Sequence, residues 1–165
     1  FNSFLLFFIL RKKGLVINML EEFIGANNLK AEIISFSTET PVAVILKQKM
    51  FVPRTIVQTK LFISAKKDEI LTITPFGKEV QIELLEEIIG EDLLESNEEE
   101  CLKITGYKRG FAPPISIYGV KVIIDPILEN LNYIIAPIST KKYLKIPLEE
   151  VLSFNEDISF EVLTE

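Results

Sequence analysis

The sequence predicts an α+β fold in a single domain, and three observations carry that prediction. Strand-like and helix-like segments are short and interspersed, without the regular strand–helix–strand repeat of a doubly wound sheet. Two pairs of strand-like runs, 55–64 with 69–74 and 132–136 with 142–146, are separated by short turn sequences and read as antiparallel hairpins. The chain of 165 residues is 48% apolar, with twelve phenylalanines, which is enough for a real core and too apolar for a disordered chain.

The elements follow in order. Phe1 to Leu10 is a strongly apolar run, and Arg11-Lys12-Lys13 follows it. Such a run is too short to span a membrane, and charges after the run are the reverse of a signal peptide. We expect residues 1–18 to be a leader or non-native extension, Met19 to be the working start, and residues 19–165 to be the domain. An intact mass that includes the leader would refute this. Residues 20–26 spell a short helix closed by Gly25 and Asn27-Asn28, and 31–36 a strand. Thr40-Pro41 opens a buried helix over 42–50, with a capping threonine and a proline in the first turn; Pro53 stops it.

Residues 55–64 are rich in β-branched side chains and form the clearest strand. Alternation puts Ile56, Gln58, Lys60 and Phe62 on one face. Two polar side chains within an apolar face mark either a ligand-facing surface or the wet face of an edge strand. Residues 65–68 turn the chain into the partner strand 69–74. Residues 78–89 carry a helical stripe of Val80, Leu84, Leu85, Ile88 and Ile89, ended by Gly90. A short strand is expected over 91–95. Asn97 with Glu98, Glu99 and Glu100 is a helix start, because the cap and the acids both suit the dipole; that helix runs to Thr105. Later come a strand over 120–125 closed by Asp125-Pro126, a helical turn over 127–131, the second hairpin, a small helix over 147–152 and a last strand over 158–163.

There is no histidine, so Ser-His-Asp and Cys-His catalysis and imidazole zinc sites are excluded. Cys101 is the only cysteine, which excludes an intrachain disulfide and makes a reducing, cytoplasmic setting the default. Three glutamates precede it and raise the cost of a thiolate, so Cys101 reads as packing. The net charge of −6 is uneven: Glu79 to Glu100 holds ten of the 24 acids and no base. The remainder is mildly basic and able to meet phosphates.

Residues 104–119 are the candidate functional loop. They hold three of seven glycines and two of eight prolines. Glycine permits close backbone approach and proline stiffens the chain, so the loop can present its own N–H and C=O groups to a ligand. Lys108 and Arg109 add positive charge at its start.

The run Ile104-Thr105-Gly106-Tyr107, then Gly110-x-x-x-Pro114, a strand ending in Asp125, a hairpin and the helix starting at Pro147 resembles the YbaK/prolyl-tRNA-editing family of aminoacyl-tRNA deacylases. The resemblance covers residues 31–154. It implies a mixed, largely antiparallel, barrel-like sheet with flanking short helices. It also implies hydrolysis of the ester of mischarged aminoacyl-tRNA, classically tRNA for proline carrying the wrong small amino acid. Metal and cofactor are not required; water attacks with help from backbone groups and the terminal ribose hydroxyl.

Gly110 and Pro114 match the family loop, and Phe111 stands where its second glycine is usual. The family lysine falls on Gln58, and Lys60 lies about 7 Å further along the same strand face. The glycine-rich turn expected at 136–139 reads Ala-Pro-Ile-Ser. The resemblance thus implies a catalytic set of Gly110 with Gln58 or Lys60. It implies a substrate-binding set of Phe111, Ala112, Pro114, Thr105, Gly106 and Asp125. Lys108, Arg109, Lys141 and Lys142 would meet tRNA phosphates. The expected partner is the acceptor end of aminoacyl-tRNA, with an aminoacyl-tRNA synthetase as a further candidate, no membrane, and a monomer or homodimer. The alternative is a catalytically impaired relative that binds aminoacyl-tRNA or an amino-acid derivative without hydrolysis.

Overall fold

The computed structural model describes residues 19–115 and 117–165; the expected leader, 1–18, lies outside the described residues. Eight strands form two sheets. The first is the long hairpin β2 (Val57–Ser64) and β3 (Glu69–Pro75), extended by β4 (Leu93–Glu95) on one side and by β5 (Lys121–Ile124) and β8 (Ile158–Phe160) on the other. The order is β4-β2-β3-β5-β8. Pairing is antiparallel through β4, β2 and β3 and parallel from β3 through β5 to β8. The second sheet, β1-β7-β6, joins β1 (Glu32–Ser35) to the hairpin of β6 (Tyr133–Pro137) and β7 (Lys142–Pro147), all antiparallel. A parallel bridge between Ile56 and Ile135 links the two sheets into one curved, incompletely closed wall. Strand β2 lies between β3 and β4, but β4 pairs only with its last residues, Phe62–Ser64; the partly exposed Gln58 and Lys60 pair with Thr74 and Thr72 of β3.

Alternation along β2 explains the layering. Val57 and Leu61 enter the main core with Leu71, Ile73, Val122 and Ile124, against Ile134, Ala136, Leu144 and Ile146 of the second sheet. Helix α1 (Met19–Ala26) closes this core with Met19, Leu20 and Phe23. Phe62 faces the other way, into a smaller core with Ile70, Ile123 and Leu163 under Leu85 of α3 (Ile82–Ile89). A third cluster packs Val42 and Ile45 of α2 (Val42–Lys47) on Ile56, Ile135 and Tyr143.

Three segments differ from the sequence expectation, each for a nonlocal reason or a turn. Helix α2 stops at Lys47, and Lys49 takes φ +53°. Residues 78–81 are not helical: the Lys78 carbonyl accepts from Gln58 Nε2 (2.7 Å), and Gln81 N–H donates to the Leu163 carbonyl (2.7 Å). Strand β8 ends at Phe160: Glu161 N–H still donates to the Ile124 carbonyl (3.1 Å), and the chain then turns its amides onto Asp125. One oxygen of that carboxylate accepts from the N–H groups of Leu163 and Thr164 (both 3.0 Å) and from Thr164 Oγ1 (2.9 Å), and the other accepts from Ile127 N–H (3.0 Å).

Helix α4 (Glu98–Thr105) has the expected start: Glu100 N–H donates to Asn97 Oδ1 (2.8 Å) and Asn97 N–H to Glu100 Oε1 (2.9 Å), a reciprocal cap. Helix α5 (Leu148–Phe154) is tied to the N-terminal half by buried Glu150. Its two oxygens accept from the N–H groups of Lys30 (2.7 Å) and Ala31 (3.0 Å). Glu150→Ala should destabilise the fold by about 2–3 kcal/mol, since two amides lose a charged acceptor. Glu150→Gln, which retains one acceptor, should recover part of the loss in urea unfolding.

Candidate functional site

The loop after α4 is fixed before it reaches its functional stretch. Thr105 is fully buried; its hydroxyl donates to the Cys101 carbonyl (2.8 Å) and accepts from Tyr107 N–H (3.0 Å). Gly106 closes α4 at φ +82°, a conformation that suits glycine. Residues 108–111 then make a tight turn, with Phe111 N–H donating to the Lys108 carbonyl (2.9 Å) and Gly110 at φ +87°. Arg109 anchors the turn from outside: its N–H donates to Glu98 Oε1 (3.0 Å), and its guanidinium nitrogens donate to Glu95 Oε2 (2.9 and 2.8 Å). Glu95 also holds that guanidinium more firmly charged than usual.

Three consecutive carbonyls beyond the turn each accept from a buried side chain: one on β2, one further along the same loop and one just after α5. Thr59 Oγ1 of β2 donates to Ala112 (2.7 Å), Tyr118 Oη to Pro113 (2.6 Å), and Asn155 Nδ2 to Pro114 (3.1 Å). Ala112 and Pro114 are therefore buried scaffolding. Gly110 and Phe111 are what the loop leaves at the surface of a cleft.

That cleft has a volume of about 460 Å³. Gly110, Phe111 and exposed Phe76 form one side, the first turn of α2 (Pro41, Val42, Ala43) another, and the hairpin turn around Pro137, Ser139 and Thr140 the third. Tyr143 lies at the base, where its hydroxyl donates to the Thr40 carbonyl (2.7 Å). The lining is mainly apolar, and Glu39 is its only formally charged side chain.

The predicted site residues divide into three groups. Gly110 and Phe111 line the cleft, and exposed Lys141 and Lys142 follow the turn that forms its third side. Lys108 is exposed on the neighbouring turn. Gln58 and Lys60 share a strand face as expected but do not line this cleft. Gln58 Nε2 donates to the Lys78 carbonyl, and its Oε1 accepts from Gly77 N–H (3.2 Å), so it holds the turn that presents Phe76. Lys60 Nζ donates to Glu79 Oε2 (2.6 Å) and lies 3.9 Å from Glu95. The acidic segment thus folds back to neutralise two of the candidate cations, Lys60 and Arg109. Asp125 is 3% exposed and, like Thr105 and Gly106, acts as framework at a distance from the lining.

Sequence reasoning did not assign Glu39, Pro41, Val42, Phe76 or Tyr143 to the site. An exposed phenylalanine in the Pro75-Phe76-Gly77 turn was the available signal.

Tyr107 supplies a pH dependence. Burial, reinforced by Glu21, pushes its phenol from 10 up to about 12. Tyr118 moves in the same direction, chiefly by burial. The folded state keeps the Tyr107 proton after the unfolded chain has lost it. Its stabilising effect is therefore full below pH 10 and lost as pH rises toward 12, by about 2–3 kcal/mol. Urea unfolding from pH 8 to 11 should show the onset of this decline, and Tyr107→Phe should reduce it while Tyr118 keeps a remainder.

The family model for the aminoacyl-tRNA editing domain matches residues 39–154, from the rim of the cleft to the end of α5. The chain belongs to the aminoacyl-tRNA editing domain family. No curated protein sequence matches this editing domain. Among solved structures, the hypothetical protein APE2540 is 19% identical with a TM-score of 0.78, over 88% of this chain and 99% of that one. A candidate trans-editing enzyme for prolyl-tRNA synthetase is 16% identical with a TM-score of 0.75, over 90% of this chain and 94% of that one. A candidate signal-transduction protein from Marinobacter aquaeolei VT8 carries the fold in 29% of its length, at 15% identity and a TM-score of 0.61. At these identities the likeness is one of fold: the mixed two-sheet architecture of the editing domain. No helix among the described residues is long and apolar enough to cross a membrane.

Proposed function

We propose that this editing domain is a trans-acting deacylase that hydrolyses the ester of mischarged aminoacyl-tRNA, with Gly110 and Phe111 against the aminoacyl group. The observation that carries the reading is the pinned loop. Its carbonyls at 112, 113 and 114 are turned onto Thr59, Tyr118 and Asn155, which leaves the Gly110 turn as the part of the loop open to a ligand. The N–H groups of Arg109 and Phe111 are taken by Glu98 and the Lys108 carbonyl, so the proposed donor is Gly110 N–H; on a turn held this way it needs little reorganisation as charge develops on the ester oxygen, the condition under which a backbone donor contributes most. Lys108, Lys141 and Lys142 are exposed beside the cleft and are the proposed phosphate contacts; each neutralised phosphate steepens the salt dependence of binding.

One observation favours a second reading, an editing-domain relative that binds without hydrolysis. The Gln58 amide and the Lys60 ammonium are both engaged by neighbouring groups, so neither is offered to the ester. The test is release of radiolabelled amino acid from mischarged tRNA for proline, beside Gln58→Ala and Lys60→Ala. Hydrolysis by the parent protein supports the deacylase. Salt-dependent tRNA binding with no release supports the binding module.

A further inference from the structure

Resting on the deacylase reading of this cleft, we propose that the site selects aminoacyl esters whose side chains are apolar and larger than alanine, and that Glu39 receives their α-ammonium group. The cleft of about 460 Å³ leaves room for a side chain larger than an alanyl methyl. The surfaces that would contact a side chain are those of Val42, Ala43, Pro137, Phe76 and Phe111.

Of the four hydroxyls in the lining, two are turned onto backbone carbonyls and one accepts from a backbone N–H. Tyr143 Oη donates to the Thr40 carbonyl (2.7 Å), Thr40 Oγ1 donates to the Thr38 carbonyl (3.0 Å), and Ser139 Oγ accepts from Lys141 N–H (3.2 Å). A serine, cysteine or threonine side chain placed against Val42, Ala43, Pro137, Phe76 and Phe111 would exchange water for apolar wall. An aliphatic side chain would gain about 0.8 kcal/mol for each methylene it buries, roughly a fourfold preference.

Glu39 stands at the rim, exposed, as the one formally charged side chain among the lining residues. The rim beside it is held in place because Thr40 N–H donates to the Thr140 carbonyl (2.8 Å). An α-amino group is largely protonated at neutral pH, so a carboxylate at this position offers it a counterion. The pair is exposed to solvent, so its contribution is small: a change of about two- to fivefold.

The experiment compares kcat/KM for tRNA for proline charged in turn with alanine, serine, threonine, valine and leucine. Valine is expected to exceed alanine by roughly tenfold. It is expected to exceed threonine, its near-isostere, by up to about a hundredfold. Preference for alanine or serine, or equal rates for threonine and valine, overturns the inference.

Glu39→Gln is expected to raise KM for the valyl ester by about two- to fivefold while leaving the N-acetylvalyl ester unchanged. An unchanged KM for valyl-tRNA removes Glu39 from the proposal. If no ester is cleaved, the deacylase reading fails, and selectivity is read instead from binding of 3′-aminoacylamino-adenosines. Tighter binding of the valyl than of the alanyl and seryl compounds sustains the inference; equal binding ends it.

Discussion

Gly110→Ala should lower the rate of ester hydrolysis by about 100-fold or more while the protein still folds. Gly110 sits at φ +87°, and a Cβ built there meets no protein atom within 4 Å. That combination separates the two effects. The left-handed backbone conformation costs an alanine about 1–2 kcal/mol, well within the stability of a domain this size. The added methyl, with no protein neighbour, would stand in the cleft on the wall where the aminoacyl group is proposed to lie. A displacement of the reacting ester by about 1 Å is enough for a loss of this order. Single-turnover hydrolysis and thermal unfolding of the same sample check both halves. Full activity in the variant would remove Gly110 from the proposed site.

Asp125→Ala should be the most destabilising single change, at about 3–4 kcal/mol. The carboxylate is buried and accepts four hydrogen bonds, from Ile127, Leu163, Thr164 and the Thr164 hydroxyl. Each buried donor left without an acceptor costs about 1–3 kcal/mol. The loss spreads, because Leu163 belongs to the small core under α3 and its carbonyl accepts from Gln81 N–H. A domain of this length should lose about 10 °C in Tm. Asp125→Asn should recover part of this, since one oxygen remains an acceptor. A Tm within 2 °C of the parent for Asp125→Ala would contradict the role assigned to this carboxylate.

The local signals in the sequence were the ones that carried through. The strand pattern of 55–64 with its partner 69–74 carried through as the hairpin of β2 and β3, whose inward and outward side chains separate two cores. Asn97 and the acids after it announced a helix start, which the structure closes with a reciprocal Asn97–Glu100 cap, and Gly90 and Gly106 both follow helix ends in the left-handed region. The failures lie where a distant partner overrides local preference. The apolar stripe at 78–89 reads as helix from its first residue, yet Gln58 and Leu163 claim the backbone of Lys78 and Gln81.

The site divides along the same line. Gly110 and Phe111 were visible as an unusual loop. The other walls come from α2, the turn after β3 and the hairpin turn, and nothing in the spacing of those segments announces that they meet. Lys60 reads as a candidate catalytic cation and Arg109 as a cation available to phosphate. Their partners Glu79 and Glu95 belong to the acidic segment, whose contacts only the fold supplies.

The pairing of β1 has a consequence for the order in which the protein assembles as it is made. Glu32 to Ser35 have their partners at Lys145 to Lys142, far downstream. At ordinary rates of translation the interval between them lasts on the order of ten seconds. Throughout it the nascent chain carries one unmatched strand outside the ribosome, while β2 and β3 are free to zip as soon as they emerge. The Glu150 clasp on Lys30 and Ala31 arrives only after β7. The later part of the domain therefore locks the first, and a chain stalled before residue 150 would leave that strand unpaired.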